Sequence, residues 1–391
     1  MAAERPTLCI ATGTRADWGL LSPIAAELRA RGIVDVKILA TNMHLLERYG
    51  HTVDEIEADG FAVDARVEMP DGGDSPLDRA RAMAACLDGT AVALEAMQPD
   101  ALLLLGDRYE MLAVASASVM LGIPVIHIAG GEITLGAIDD SLRHAITKLA
   151  SLHLTATDAY SRRVVQMGED TARVVTIGAP GVWNAMHRPL PTTRELLDSL
   201  NVEGSPRIAL VTYHPATLDP ADPAERFAAL LEALDRFPEL HYIITYPNND
   251  ARSHGIIAMI EKYAASRPGR VTAVRSLGAT RYLAASRLAE VVIGNSSSGV
   301  VEVPSAGTPT VDIGIRQKGR IAGPSVIHCG DSADEIAGAV ALALTPEMQE
   351  LAARKENHYS RPDTVALAAD TITAFMLGDK SVIKTFHDLP C

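Results

Sequence analysis

Residues 291–316 have the sequence VVIGNSSSGVVEVPSAGTPTVDIGIR, which is the most informative stretch of the chain for its fold and its ligand. A short apolar strand ends in Gly294, an asparagine and three serines, and a helical stretch and a second strand follow. Serines at a strand-to-helix turn leave N–H groups and hydroxyls that attract phosphate. Glu302 could accept two ribose hydroxyls. The stretch therefore predicts a site for a nucleotide diphosphate, and a purely structural serine-rich turn is the alternative.

The whole chain alternates strand and helix, which predicts an α/β fold with parallel sheets. In the first half the predicted strands are 8–11, 36–40, Ala101–Leu105 and 124–128, and the predicted helices are 20–31, 110–121 and 139–150. A second series of strands begins near Arg207 with IALVT, YIIT, VTAV, VVIG and TVDIG. We predict two doubly wound Rossmann-like lobes, residues 1–182 and 183–391, joined by a linker at about 180–193.

Composition is typical of a cytoplasmic enzyme. Of the 391 residues 48% are hydrophobic and only 4% aromatic, so aliphatic side chains must fill the cores. A formal net charge of −14 argues against nucleic acid and anionic membrane as partners. The four cysteines have no metal-binding spacing and are expected to be reduced thiols. We find no pattern of a signal peptide or of a membrane span.

Polar segments follow several of the predicted strands. These segments are GTRAD (13–17), GDRYE (106–110), HIAGGE (127–132), YHP (213–215) and YPNND (246–250). Ligands of open α/β sheets bind beyond the carboxyl ends of the strands. We therefore expect one active cleft between the two lobes, and strand-end caps and turns are the alternative.

The charged residues of these segments allow two interpretations each. Arg15 and Arg108 could clamp a diphosphate, since a planar guanidinium suits phosphate oxygens, or could pair with the neighbouring Asp17 and Glu110. Asp107 could be a general base or could cap the following helix.

The helix predicted at 139–150 carries two pairs at a spacing of four residues. Asp139 with Arg143 and Asp140 with His144 could be ordinary surface ion pairs of one helix. His214, in the strand-end pair His-Pro, could be a structural histidine or could face the same cleft.

Several common sites are absent from the sequence. It contains no GxxxxGK[ST] loop and no GxGxxG after a strand, so we expect neither a P-loop nor NAD or FAD. No His, Cys and carboxylate cluster has metal-ligand spacing, and no GxSxG motif occurs. The residues thus predict neither a metal site nor a nicotinamide or flavin cofactor.

Taken in order, these motifs resemble the UDP-N-acetylglucosamine 2-epimerase family, most closely its hydrolysing branch. The resemblance spans nearly the whole chain and rests on GTRADWGLLSPI, GDRYE, HIAGGE, IDDSLRHAITKLA, YHP, YPNND, GNSSSGVVEV and GTPTVDIGIRQKGR. It implies a GT-B fold and a UDP-sugar substrate. It also implies elimination of UDP to a 2-acetamidoglucal, which water converts into a free 2-epimeric sugar. Relatives of this kind form dimers or tetramers and feed sialic or legionaminic acid synthesis.

The resemblance also implies roles for individual residues. Asp107 and Asp139 match carboxylates of the two chemical steps, and His214 matches a residue near the sugar and phosphates. Positions that match nucleotide-binding residues are Arg15, Arg108, Asn248, Ser296, Ser297, Glu302 and Arg316. Among these, Glu302 would take the ribose hydroxyls and the serines and Arg316 the phosphates. Asp17, Arg143 and Asp250 are further candidates for substrate contact.

Two positions depart from the family pattern. Ala129 stands where sialic-acid-type relatives commonly carry a catalytic glutamate, and Leu20 replaces a frequent lysine. Glu132, three residues after Ala129, is included among the catalytic candidates. The departures leave open UDP-N-acetylglucosamine or a UDP-linked 2,4-diacetamido-2,4,6-trideoxyglucose as substrate. Alternatives for the function are a non-hydrolysing 2-epimerase, a GT-B glycosyltransferase and a catalytically impaired UDP-sugar binding protein.

Overall fold

The computed structural model describes residues 5–47, 50–70, 75–135, 138–215, 222–247 and 253–388. The chain folds into two compact units. The first unit comprises Met1–Glu132, Asp139–Trp183 and Arg361–Cys391, and the second comprises Ile133–Ile138 and Asn184–Ser360.

The first unit is built on a parallel sheet with helices. Its strands are β1 Thr7–Thr12, β2 Asp35–Thr41, β3 Ala65–Val67, β4 Ala101–Leu105, β5 Val125–Ile128, β6 Leu152–Thr155 and β7 Val174–Thr176. The helices up to the break between the units are α1 Arg15–Arg31, α2 Val53–Ala58, α3 Pro76–Met97, α4 Tyr109–Met120, α5 Asp139–Leu149, α6 Asp158–Gln166 and α7 Pro180–His187. The strand order is β3-β2-β1-β4-β5-β6-β7, so the direction of winding reverses between β1 and β4.

The second unit repeats this winding. Its strands are β8 Arg207–Thr212, β9 Leu240–Thr245, β10 Val271–Val274, β11 Val291–Gly294, β12 Thr310–Ile313 and β13 Val326–Cys329. The remaining helices are α8 Thr193–Ser199, α9 Pro223–Leu234, α10 Ser253–Ala265, α11 Gly278–Leu288, α12 Ser297–Val301, α13 Val303–Ala306, α14 Ala333–Ala343, α15 Pro346–Ala353 and α16 Thr364–Leu377. The sheet order β10-β9-β8-β11-β12-β13 again reverses beside the first strand, here between β8 and β11.

The apolar runs of the sequence become strands that are buried on both faces. Along β4, Leu103 packs into one core of the first sheet and Leu102 and Leu104 into the other. The predicted strand at 101–105 is thus confirmed to its ends. Each leucine removed from water here stabilises the fold by about 1.5–3 kcal/mol.

Three boundaries differ from the prediction. Helix α1 begins at Arg15 instead of 20, because Thr14 caps it by accepting a hydrogen bond from the Asp17 N–H. The predicted linker at 180–193 contains α7, whose first residue is Pro180; proline suits the first helical turn, where its missing N–H is not needed.

The third difference concerns the end of the second predicted lobe. Residues 361–391 belong to the first unit, because α16 buries Ala368, Ile372 and Phe375 in a core of the first sheet. Residues 133–138 belong to the second unit, where Arg320 donates to the Ile133 carbonyl at 3.1 Å and to the Thr134 hydroxyl at 3.2 Å. Local sequence patterns do not show that a segment packs with a unit other than the one beside it in the chain.

The structure also shows the state of three cysteines and the lengths of the described helices. Cys9, Cys86 and Cys329 are free thiols, and Cys391 lies outside the described residues. Within the described ranges, every helix is too short or too polar to be a candidate membrane span.

Candidate active site

The candidate residues of the first unit gather where its winding reverses. GTRAD follows β1 and GDRYE follows β4, so the two segments flank the reversal. HIAGGE overlaps and follows β5, the next strand in the sheet. This is the position at which doubly wound sheets bind ligands.

Asp17 is held by the backbone of its own loop. Its carboxylate accepts from the Gly13 N–H at 3.3 Å, and its own N–H donates to the Thr14 hydroxyl at 3.2 Å. Burial raises the pKa of Asp17 to about 6, and Arg108 opposes this shift. These contacts cap α1, and the predicted contact of Asp17 with substrate stays a prediction.

The two arginines of these loops contact different glutamates. Arg108 Nε donates to Glu110 Oε1 at 2.7 Å, which is the neighbour pairing considered as the alternative. Arg15 Nη1 lies 3.7 Å from Glu55 Oε1 on α2. Glu110 is fully buried, and its Oε2 has no hydrogen-bond partner among the described residues.

Arg143 joins the segment after β4 to the segment after β5. It is 1% exposed and forms a close ion pair with Asp107 through Nη2. Its Nη1 donates to the Glu132 carbonyl at 3.1 Å and lies 3.9 Å from Asp140. Arg143 is therefore a buried side chain and not part of an ordinary surface pair, and its close ion pair with Asp107 joins residues 36 positions apart.

The helix-cap alternative for Asp107 is also not what the structure shows. The N-cap residue of α4 is Arg108, which makes no capping side-chain hydrogen bond. Asp107 instead turns its carboxylate to Arg143. The i,i+4 pair of Asp140 and His144 is confirmed, with 3.7 Å between His144 Nε2 and the Asp140 carboxylate.

His127 is a residue of this site whose role the sequence did not reveal. It is fully buried on β5 and bridges the Gly106 carbonyl at 2.8 Å and the Thr147 hydroxyl at 3.2 Å. Because a carbonyl oxygen only accepts, Nε2 carries the proton and Nδ1 is the acceptor of the neutral ring. The Thr147 hydroxyl has one proton, which is shared between Nδ1 and the Arg143 carbonyl at 3.0 Å. Burial lowers the pKa of His127 to about 3, so the ring is neutral. His127 thereby fixes the loop that presents Asp107 relative to the helix that presents Arg143.

The backbone after β5 is unusual at Ala129. This residue has φ of 68°, a left-handed conformation that costs an alanine about 1–2 kcal/mol. Gly131 follows with φ of 77°, and a side chain there would lie 2.5 Å from the Tyr160 carbonyl. Glu132 comes next and is 8% exposed, and Asp139 is the first residue of α5.

In the second unit, the candidate residues again flank the reversal of winding. His214 follows β8, and the serines follow β11. Gly294 ends β11 with φ of 145°, and an added Cβ would lie 1.8 Å from the Thr212 carbonyl oxygen of β8. Only glycine lets the two strand ends approach this closely.

Asn295 connects three loops of the second unit and was missed as a site residue. Its side chain accepts from the His214 N–H at 2.7 Å and donates to the His214 carbonyl at 2.8 Å. Its carbonyl accepts from Arg316 at 3.0 Å and from Gln317 at 2.9 Å. Its position in the sequence, between Gly294 and the serines, could have identified Asn295 as a residue of the site.

The serines form a short chain of hydroxyls. Ser296 Oγ lies 3.0 Å from Ser298 Oγ, which lies 2.6 Å from the Tyr282 hydroxyl. Ser296 makes no capping side-chain bond to α12, which begins at Ser297. Glu302 lies between α12 and α13, and its N–H donates to the Ser298 carbonyl at 2.9 Å.

Two predicted residues cannot be placed. Asn248 and Asp250 lie outside the described residues. Among the residues that are described, no group of three or more His, Cys, Asp or Glu side chains could hold a metal ion.

A comparison with known protein families identifies the family of this chain. The family described as UDP-N-acetylglucosamine 2-epimerase matches residues 26–373. This chain belongs to that family. The family predicted from the sequence motifs is therefore confirmed.

Relatives in this epimerase family include hydrolysing enzymes. The chain is 34% identical over 320 residues to the GDP/UDP-N,N'-diacetylbacillosamine 2-epimerase (hydrolyzing) of Campylobacter jejuni, which covers 82% of this chain and 83% of that protein. It is 34% identical over 381 residues to the polysialic acid biosynthesis protein P7 of Escherichia coli, with 97% and 96% covered.

Solved structures of UDP-N-acetylglucosamine 2-epimerases share the fold. The enzyme of Neisseria meningitidis bound to UDP-GlcNAc superimposes with a TM-score of 0.81 at 16% identity, over 94% of this chain and 99% of that one. The predicted fold class is confirmed: the chain has two Rossmann-like units with parallel sheets, as in GT-B-type epimerases.

Proposed function

We propose that this chain is a hydrolysing 2-epimerase of a UDP-linked 2-acetamido sugar. It eliminates UDP across C1–C2 to give a 2-acetamidoglucal and then adds water, leaving UDP and the free 2-epimer. The observation that carries the proposal is the ion pair between Asp107 and the buried Arg143, held where the first sheet reverses its winding. Family membership and the hydrolysing relatives support the same reaction.

The first unit carries the chemistry on the sugar in this proposal. Removing the weakly acidic C2 proton requires a base held in one orientation. Asp107 meets this demand, because Arg143 fixes its carboxylate and His127 fixes its loop. Asp139 is assigned to the second step, the addition of water to the glucal.

Glu132 is the third carboxylate of this assignment. Ala129 cannot transfer a proton, whereas Glu132 is almost buried and its carbonyl is bonded to Arg143. Glu132 is therefore proposed as the proton donor of the second step. Arg15 and Arg108 are assigned to contacts with the substrate phosphates.

The second unit binds UDP in this proposal. Departure of UDP requires donors arranged around the diphosphate before the bond breaks. Ser296, Ser297 and Arg316 supply hydroxyl and guanidinium donors on loops that Asn295 holds together. Glu302 is assigned to the ribose hydroxyls and His214 to the phosphates and sugar.

The sugar is either N-acetylglucosamine or its 2,4-diacetamido-2,4,6-trideoxy analogue. The analogue carries an extra methyl and an extra N-acetyl group, which need apolar neighbours. The small apolar Ala129, which packs against a core of the first unit, is compatible with them. Two relatives carry the name of a diacetylbacillosamine epimerase.

The wider setting follows from the same proposal. The free 2-epimer would feed sialic or legionaminic acid synthesis in the cytoplasm, and the enzyme would work as a homodimer or homotetramer. It would need no metal, cofactor, nucleic acid or membrane partner.

Proton NMR in D₂O tests the reaction. The purified protein is given UDP-N-acetylglucosamine and, separately, UDP-N,N'-diacetylbacillosamine. We expect UDP and a free 2-epimeric sugar with deuterium at C2, and the faster reaction identifies the substrate. An intact UDP-sugar with deuterium at C2 would indicate a non-hydrolysing epimerase. Saturable UDP binding without any reaction would indicate an impaired binding protein.

A further inference from the structure

A segment far along the chain is bonded to the end of helix α5. We call residues 379–388 the strap. Lys384 Nζ donates to the Lys148 carbonyl at 2.8 Å and to the Ala150 carbonyl at 2.7 Å. The last carbonyls of a helix have no partner within the helix, and a cation there also interacts favourably with the helix dipole. Lys384 therefore caps the carboxyl end of α5.

Lys384 is itself held by a buried carboxylate. Its Nζ lies 2.6 Å from Glu169 Oε2, and Glu169 also contacts Lys148 at 2.5 Å and His153 at 2.9 Å. Although burial acts to raise it, the hydrogen bonds from His153 and the lysines lower the pKa of Glu169 to about 2. The carboxylate is thus charged at any physiological pH, and a buried charge of this kind is costly to leave without its partner.

Contacts beyond Lys384 keep the strap in place. The His387 N–H donates to the Gly168 carbonyl at 3.1 Å. Phe386 lies directly over Gly168, where an added Cβ would be 2.4 Å from the ring, and Lys148 Nζ lies 5.0 Å from the ring centroid.

Helix α5 carries the residues proposed for catalysis at its other end. It is 11 residues long and begins with Asp139, and Arg143 follows one turn later. Residues 133–138, which lead into it, belong to the second unit. Within the first unit the helix is held by Arg143, by Thr147 and by the buried Ile146, and at its last turn by Lys148 and by Lys384 of the strap.

We propose that Lys384 is a positioning residue for the reaction: by capping α5 from the strap, it sets where Asp139 and Arg143 stand. The proposal rests on the function proposed above. A shift of about 1 Å at reacting groups can lower a rate by up to about 100-fold, so a loosened helix should reduce turnover while leaving UDP affinity unchanged.

A second lysine of the strap provides a matched control. Lys380 Nζ donates to Asp100 Oδ1 at 2.7 Å. Asp100 is the residue before strand β4, so Lys380 holds the start of a strand, whereas Lys384 holds the end of α5. The side chains of Lys380 and Lys384 are 29% and 27% exposed, so they are equally buried. Lys380→Met and Lys384→Met remove the same charge from the same strap and differ in what the lysine holds.

The test compares both variants with wild type in kcat, KM and UDP affinity, together with amide hydrogen exchange of 139–149. Lys384→Met should lower kcat by about tenfold with KM and UDP affinity within about twofold, and should speed exchange at 139–143, away from the substitution. Lys380→Met should leave kcat and the exchange at 139–143 as in wild type. Equal kcat in wild type and folded Lys384→Met, or equal losses in both variants, would overturn the proposal.

Two further measurements keep the outcome decisive. If Lys384→Met does not fold, Phe386→Ala weakens the strap and leaves Lys384 to pair with Glu169, and the same pattern is expected with a smaller loss of kcat. If the wild-type protein turns over neither UDP-sugar, the proposed function fails. Hydrogen exchange alone then tests whether Lys384 holds α5 in place. Faster exchange at 139–143 in Lys384→Met than in Lys380→Met supports it, and identical exchange rejects it.

Discussion

The reversal point of the first sheet is built from ion pairs that each have one buried member, whereas that of the second sheet is built mainly from hydroxyls and amides. In the first, Asp107 with Arg143 and Arg108 with Glu110 are paired ions. In the second, the amide and carbonyl of Asn295 hold the loops around a chain of serine hydroxyls. The same strand order thus supports two chemically different sites.

The difference follows from what each site is proposed to do. A group that moves a proton must be ionisable, and a buried ionisable group needs a charged partner. A diphosphate is already charged, so fixed N–H and O–H donors stabilise it without any proton transfer. Four predictions test this division, beginning with the largest expected effect.

Replacing the proposed base should separate chemistry from binding. Asp107→Asn removes the carboxylate but keeps an oxygen that can accept from Arg143, so kcat should fall by about 10³-fold or more. UDP affinity, measured by calorimetry, should stay within about twofold of wild type. Asp140→Asn is the control, since Asp140 lies 3.9 Å from the same arginine, and it should lose little activity. Matching losses of kcat and UDP binding in Asp107→Asn would mean a structural role.

The close approach of strands at the second site should make Gly294 indispensable. Gly294→Ala should destabilise the protein by about 3–4 kcal/mol, because the methyl group would overlap the Thr212 carbonyl in a conformation that already strains alanine. Gly314→Ala is the matched control: φ is 74° there, but no atom lies within 4 Å of the added carbon. It should cost about 1–2 kcal/mol. Urea unfolding measures both, and equal losses would contradict the close packing.

The neutral histidine of the first site should make stability depend on pH. The pKa of His127 is lowered from 6.5 to about 3 in the folded protein, so the unfolded chain binds a proton first as pH falls. The contribution of the neutral His127 to the free energy of unfolding is complete above pH 6.5. It decreases below that pH, by about 2 kcal/mol between pH 7 and 5. The raised pKa of Asp17 acts in the opposite direction, so the difference between wild type and His127→Gln is the readout. Parallel pH curves for the two proteins would show that His127 is not held neutral.

The smallest expected effect concerns the ribose. If Glu302 accepts ribose hydroxyls, Glu302→Gln should weaken UDP by about tenfold and 2′-deoxy-UDP by much less. Calorimetric titration of wild type and variant with both nucleotides measures this. The same loss of affinity for both nucleotides would show that Glu302 does not bind the ribose 2′-hydroxyl.

The sequence predicted the two sheets and the loops that flank their reversals, because buried parallel strands are continuous apolar runs and polar residues mark their ends. It did not predict the ion pair of Arg143 with Asp107, since local spacing pointed only to Asp139 and Asp107 is brought close only by the fold. The roles of Asn295 and His127 were missed for the same reason. Their hydrogen bonds run between strands that are distant in the chain.

The most direct test of hydrolytic epimerisation is the fate of labelled water. Wild-type enzyme is run to completion in D₂O enriched in ¹⁸O with the preferred UDP-sugar, and both products are analysed by mass spectrometry. Elimination breaks the bond between C1 and oxygen, so UDP should contain no ¹⁸O and the free sugar should contain one deuterium at C2. Heavy oxygen in UDP, or a free sugar without deuterium, would contradict elimination and hydration as the reaction.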